Sequence, residues 1–176
     1  MKIVNIADPS NIFVEYTIPT AGNADGMDMA NGYVAVAMRE SGVDIIDVDP
    51  PGSASVVAHV DTTRDAWEVY IKNDYIYAAV GTGLDIIDIT DPASAYIYDT
   101  LDTSGYVYDV AVTNGYAFMA SDIVGLEVYD VDPIDSPTWI GNFPVPFRAR
   151  TITVIGTNLY LTADGDPGGI KILALP

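Results

Sequence analysis

The stretch Gly83-Leu-Asp-Ile-Ile-Asp-Ile-Thr-Asp-Pro92 decides the fold. Leu84, Ile86, Ile87 and Ile89 place apolar groups on both faces of an extended segment, so this strand must be covered on both sides. Pro92 stops it, and Asp91 is suited to bond into the turn. The segment recurs as Lys2-Ile-Val-Asn-Ile6, Asp44-Ile-Ile-Asp-Val48, Glu127-Val-Tyr-Asp-Val131 and Lys171-Ile-Leu-Ala-Leu175, at steps of 42, 41, 42 and 44 residues. Two other markers keep the same step. One is a polar turn opening onto an apolar strand: Asn31-Gly-Tyr33, Asn73-Asp-Tyr75, Asn114-Gly-Tyr116 and Gly156-Thr-Asn-Leu159. The other is the pair Asp8-Pro9, Asp49-Pro50, Asp91-Pro92 and Asp132-Pro133.

Within one period the order is a strand at 108–112, an Asn-Gly turn, a strand at 116–120, a loop ending in glycine, the doubly covered strand 126–131, and a Pro-bounded strand at 138–143. The Asn-Gly pairs at 31–32 and 114–115 signal two-residue hairpins, because both central positions need φ > 0. Four antiparallel strands per repeat of about 42 residues, each sheet sandwiched between neighbours, predict an all-β fold made of β-propeller blades. The chain reads as one domain over 1–176, with repeats near 1–42, 43–83, 84–125 and 126–169 and a partial fifth at 170–176. Naming the strands of a blade a to d, the order is c-d, three full sets, then a-b-c. That is seventeen strands, one more than a closed four-bladed ring uses. Three arrangements stay open: a four-bladed ring with one c strand displaced, a piece of a longer propeller, or a half-ring completed by a homodimer about a two-fold axis.

Composition narrows function by exclusion. The chain of 176 residues carries 25 acidic and 7 basic side chains, a formal charge of −18, and no cysteine. Disulfides, thiolate metal sites and cysteine catalysis are excluded, and the field disfavours nucleic acids and anionic membrane surfaces. No apolar run approaches the roughly 20 residues of a bilayer span, so membrane insertion and a leader segment are not expected. No nucleophile elbow, phosphate-binding loop, dinucleotide fingerprint or zinc-protease motif is present.

The strand 83–92, followed by Tyr106-Val-Tyr-Asp-Val-Ala-Val112 and Asn114-Gly-Tyr-Ala-Phe118, resembles the LVIVD repeat of bacterial and archaeal surface propellers. The resemblance covers essentially the whole chain. It is closest over 83–133 and weakest in the last unit, where Thr151 stands for an acidic residue and Ala174 for an Asp. It implies a β-propeller, often secreted or attached to the cell envelope, and brings no catalytic residues with it.

In a propeller the d-to-a and b-to-c loops gather on one face. Here they are 19–26, 62–66, 102–106 and 144–149, with 39–42, 81–83, 121–125 and 164–169. All four arginines, Arg39, Arg64, Arg148 and Arg150, fall there or just beyond, beside Trp67, Tyr106, Tyr108 and Phe147. Guanidinium forks and flat apolar walls suit a small anion, a glycan or a peptide; the competing reading is that the arginines only neutralise neighbouring Asp. Asp28, Glu68, Asp109 and Thr151 recur at the start of the inner strands, and the three acids are a candidate site for Ca²⁺ or Mg²⁺. Recurrence also suits contacts between blades, and Arg64 or Arg150 is placed to pair with these acids. Asp47, Asp88 and Asp130 are expected to bond turn backbone. Asp164-Gly-Asp-Pro-Gly-Gly169 spaces its acids like a calcium loop but lacks further ligands, and His59, the only histidine, sits on an outer strand.

The expected function is a non-catalytic binding or assembly module with no cofactor. The alternative is a metal-dependent hydrolase or lyase holding Ca²⁺ or Mg²⁺ on Asp28, Glu68 and Asp109.

Overall fold

The computed structural model describes residues 1–164 and 169–174, in which seventeen strands lie in five antiparallel sheets. A two-stranded sheet comes first, β1 (Lys2–Asn5) with β2 (Phe13–Thr17). Blade 1 is β3 (Met27–Ala30), β4 (Tyr33–Ala37), β5 (Val43–Asp47) and β6 (Ser55–Val60). Blade 2 is β7 (Ala66–Lys72), β8 (Tyr75–Val80), β9 (Gly83–Asp88) and β10 (Tyr96–Asp102). Blade 3 is β11 (Val107–Thr113), β12 (Tyr116–Ser121), β13 (Gly125–Asp130) and β14 (Thr138–Phe143). Blade 4 has three strands, β15 (Arg148–Ile155), β16 (Asn158–Asp164) and β17 (Gly169–Ala174). The repeated sequence segment begins at the third strand, so each sequence repeat straddles two blades.

The hairpins obey their turn chemistry. Asn31 and Gly32 sit at φ 52° and 83°, Asn114 and Gly115 at 52° and 81°, the left-handed pair that a two-residue turn requires. At the other end of the repeat, Asp47, Asp88 and Asp130 accept the backbone N–H two residues on, at 3.0, 2.8 and 3.1 Å. This is the turn bonding expected of them.

Apolar packing occurs between blades. Ile45 meets Ile71 and Ile76 at the first boundary, Leu84 and Ile86 meet Val110 and Met119 at the second, and Phe118 and Leu126 meet Ile152 and Leu161 at the third. Ile86 and Ile87 enter different clusters, so β9 is covered on both faces as its sequence demands. No ladder joins β1–β2 to β15–β17 among the described residues, and the blades form an open arc. Among the described residues no helix is long and apolar enough to cross a membrane.

Candidate functional site

Each innermost strand from β7 onward carries one extra residue near its start. The register slips between Ala66 and Glu68, between Val107 and Asp109, and between Ala149 and Thr151. The inserted residues are Trp67, Tyr108 and Arg150. A bulge frees a residue from the alternation of the strand and re-aims its side chain. These three therefore converge on neighbours from other blades.

The result is a continuous array across blade boundaries. The Arg39 guanidinium lies 4.6 Å from the Trp67 ring centroid, and the Arg150 guanidinium lies 4.1 Å from that of Tyr108. Between them Trp67 stands edge-on to Tyr106 and Tyr108 at 5.8 and 5.9 Å, and the two tyrosines are 5.1 Å apart. The Trp67 indole N–H donates to the Tyr106 hydroxyl. Arg39 is held by its backbone as well, since its N–H and C=O both pair with Ala66 of the next blade. The spacings lie within those of favourable edge-to-face and cation–π contacts.

Every arginine is also ion-paired. Arg39 grips Asp25 with two bonds at 2.6 and 3.2 Å, Arg64 meets Asp102 at 3.1 Å, Arg148 meets Asp122 at 3.2 Å, and Arg150 meets Asp164 at 3.5 Å. Arg64 and Arg150 thus do not reach the inner-strand acids, as their positions in the sequence suggested; nearer carboxylates hold them. Phe147 packs into the apolar cluster between blades 3 and 4. Among the described residues Arg64 and Arg148 stack on no ring, though Arg64 flanks Gly81 beside Tyr106 and the Asp122 partner of Arg148 lies near enough to act on Arg150. The stacked array is Arg39, Trp67, Tyr106, Tyr108 and Arg150, with Arg64 and Arg148 at its margin and Phe147 in the apolar cluster.

The inner-strand acids differ from one another. Asp28 accepts the Ile71 N–H at 2.7 Å, and Asp109 accepts the Ile152 N–H at 2.7 Å, each tying its blade to the next. Glu68 makes no such bond. It accepts only from the N–H of Val69, at 3.1 Å, and lies against Gly26 so closely that a side chain there would collide with it. Burial pushes its carboxyl up to about 7, and the charges of Asp109 and Asp28 add to the shift. Burial pushes Asp109 up to about 6 against the lowering effect of its two backbone bonds. Thr151 pairs with Thr162, hydroxyl to hydroxyl, at 2.6 Å. A cleft of about 330 Å³ opens among these strands, lined by Asp28, Glu68, Tyr70 and Asp109. Among the described residues no group of three or more acids or histidines has the arrangement of a metal site. Most of the calcium-like loop 164–169 lies outside the described residues.

A second acid set matters more than the sequence reading allowed. Asp44, Asp85 and Glu127, on the third strands, are the buried charged residues among the described residues. Asp85 accepts from the N–H and hydroxyl of Thr63 and the hydroxyl of Thr100, at 2.7 to 2.8 Å. Glu127 accepts from the N–H groups of Ser104 and Gly105 and the hydroxyl of Ser121. Asp44 accepts from Ala21 N–H at 3.3 Å and meets His59 at 2.8 Å. Each acid fixes the loop entering its blade, and in blades 2 and 3 the residues that precede the bulge. The signal was an acid embedded among Ile, Leu and Val in each complete third strand. A charge there survives only if fully bonded.

The fold and its blade boundaries define a β-propeller module. The LVIVD repeat model matches residues 21–62, 63–103 and 104–143, well over half of the chain, and the chain belongs to that family. No curated protein matches it. Among solved structures it is similar to the computationally designed Ika4 protein, with TM-score 0.70 and 7% identity over 90% of this chain and 94% of that one. The designed Ika8 protein is similar with TM-score 0.73 and 8% identity over 92% of this chain and 49% of that one. A functionally unknown protein from Desulfotomaculum acetoxidans DSM 771 is similar with TM-score 0.71 and 13% identity, over 89% of this chain and 56% of that one. The chain thus spans about half the length of two of the three.

Proposed function

We propose that this propeller is a non-catalytic recognition module of secreted or cell-surface type, and that its ligand is a glycan bound on the array of Trp67, Tyr106 and Tyr108. One observation carries the reading: three rings from two blades are locked together beside a cleft, Trp67 edge-on to two mutually tilted tyrosines, with Arg39 and Arg150 stacked at the two ends. All four arginines already hold an Asp, which lowers their capacity for a free anion and leaves the ring faces that Arg39 and Arg150 do not cover, phenol hydroxyls and carboxylates as the recognition groups. Those groups suit a pyranose, whose C–H face stacks on aromatic rings while its hydroxyls bond phenols and carboxylates.

The test is Trp67 fluorescence in a Trp139→Phe background, where Trp67 is the only tryptophan, titrated with an oligosaccharide panel and with small carboxylic acids. Saturable quenching by a sugar, lost in Tyr108→Ala and kept in Arg64→Ala, supports the reading. Binding that is equal in the parent, Tyr108→Ala and Trp67→Ala, followed for the last by calorimetry, removes the site.

The metal-dependent hydrolase or lyase keeps one supporting observation, the Glu68 carboxyl raised to about 7 beside Asp28 and Asp109 in a cleft. Against it, Asp28 and Asp109 each spend an oxygen on the next blade. Melting temperatures unchanged by EDTA and by added Ca²⁺ or Mg²⁺ remove that reading.

A further inference from the structure

The two ends of the arc fit one another strand for strand. The β1–β2 pair has the register of the last two strands of a complete blade. Lys2 faces Thr17 as Glu127 faces Asn142, and the slip between Ile3 and Val4 falls where β13 slips between Val128 and Tyr129. It therefore forms strands c and d of a blade without a and b. The β15–β17 sheet forms a, b and c of a blade without d.

Both candidate c strands also carry the same chemistry. Opposite Val36, Ala78 and Met119 stand the buried acids Asp44, Asp85 and Glu127; opposite Leu161 stands Lys171. Lys2 occupies the same place in β1, and Lys2-Ile-Val matches Lys171-Ile-Leu. The reason for lysine lies in the entering loop. Thr63 and Ser104 give their N–H groups to Asp85 and Glu127, whereas Pro146 at that position has none to give. A blade entered through Pro146 has no use for a buried acid on its third strand, and both β1 and β17 lack one.

The exposed apolar groups complete the pattern. Val69 and Val110 face the preceding blade and are 2% exposed, while their equivalent Met27 is 57% exposed; two residues on, Ile71 and Val112 are buried and their equivalent Met29 is 63% exposed. Met29, Met27, Ile3 and Val34 line an apolar groove of about 300 Å³. Across each complete boundary the position of Tyr160 is filled by a buried residue, Ala35, Tyr77 or Phe118. At the other end Ile170 and Ile172 are 66% and 61% exposed, where Leu84 and Ile86 are fully buried. Each end lacks the neighbour that the other end supplies.

We propose that the occupant of each end is a second copy of this chain. β1 and β2 of one copy replace β17 beside β16 of the other, so that β15 and β16 of one and β1 and β2 of the other make one four-stranded blade. Lys2 then stands opposite Leu161, Val4 takes the place of Leu173 against blade 3, and Tyr160 enters the groove at Met27 and Met29. Two such junctions related by a two-fold axis close eight blades and leave no open end. The arc superposes on 49% and 56% of two longer chains and on 94% of a chain of its own size. The inner-strand set Asp28, Glu68, Asp109 and Thr151 then occurs twice around one channel, which a single copy leaves half-walled.

The full chain decides this. Light scattering is expected to give twice 18.8 kDa. Met29→Glu, at a position exposed in the single arc, is expected to give a monomer with an unchanged circular dichroism spectrum. The chain has no cysteine, so Asn5→Cys/Asn158→Cys reports one junction; these residues come opposite one another when β1 replaces β17, because Asn158 faces Ala174 at present. Oxidation is expected to link two chains. A monomeric parent overturns the proposal, as does a cross-link within one chain, which marks a four-bladed ring. A dimer that fails to cross-link overturns the strand exchange.

Discussion

The Asp109 carboxylate accepts the backbone N–H of Ile152 at 2.7 Å, and so ties the inner strand of blade 3 to that of blade 4. Its second oxygen accepts from Val110 N–H in its own strand, also at 2.7 Å. Both carboxylate oxygens hold backbone at a seam otherwise closed by apolar side chains, and Asp28 repeats the arrangement with Met29 and Ile71.

Removing this clasp leaves two part-buried N–H groups without partners. Asp109→Ala is expected to cost about 2–3 kcal/mol in urea unfolding, and Asp109→Asn, which keeps an acceptor, about 1 kcal/mol. Equal losses in the two variants would show that charge, not hydrogen bonding, holds the seam.

Glu68 is the departure from this arrangement and makes stability depend on pH near neutrality. Folded, its carboxyl titrates at about 7; unfolded, it returns to 4.5. Between these values the folded chain binds the extra proton, so stability is greatest at the acid side of the window and falls as pH rises through 7. Asp109, raised to about 6, has the same sign over a lower window. Melting followed from pH 5.5 to 8.5 is expected to decline. Glu68→Gln is expected to flatten the slope and add about 1–2 kcal/mol at pH 8; a parent curve without slope contradicts the assignment.

His59 lies on the outer side of blade 1, with its two ring nitrogens 2.8 Å from Asp44 and 3.3 Å from Asp61. The bond to Asp44 raises its pKa above 6.5, against a smaller lowering by burial. The imidazolium therefore contributes its stabilisation fully below 6.5, and loses it as pH climbs through the raised folded value. The imidazole has no other histidine to overlap it in an NMR titration, and its midpoint is expected above 6.5. In Asp44→Asn the midpoint is expected to fall; a midpoint unmoved by that change removes Asp44 as the cause.

Glu127 shows how far the blade relies on its buried acids. Glu127→Ala strips partners from Ser104 N–H, Gly105 N–H and the Ser121 hydroxyl, and is expected to cost about 3 kcal/mol or to prevent folding. The control is Lys2→Glu/Lys171→Glu, which restores the acid opposite Leu161 whether β1 or β17 stands beside β16, but meets Pro146 in place of an N–H donor; it is expected to yield no gain. A gain comparable to the loss at Glu127 would refute the pairing of acid with entering loop.

The fold was legible because its signals are periodic. The doubly apolar strand 83–92, the Asn-Gly turns and the Asp-Pro stops each repeat at the blade step, and each has one local structural solution. The site was legible in part. Trp67, Tyr106, Tyr108, Arg39 and Arg150 do come together, but their grouping depends on three bulges that periodicity does not encode, since an extra residue in one strand leaves the step of the repeat unchanged. The sequence left open whether the arginines face a ligand or neutralise Asp, and it could not assign their partners, which lie 14 to 38 residues away. The buried acids of the third strands were visible as letters of the motif, while their backbone donors sit 22 or 23 residues earlier, in loops whose sequences do not repeat.

The bulges separate two kinds of inheritance within one strand. On either side of residues 67, 108 and 150 the ladder keeps its register, so the alternation that feeds the blade boundaries is insulated from whatever occupies the inserted position. A tryptophan, a tyrosine and an arginine already share that slot. A repeat copied by duplication can thus diversify its recognition residue one blade at a time while its packing residues stay fixed.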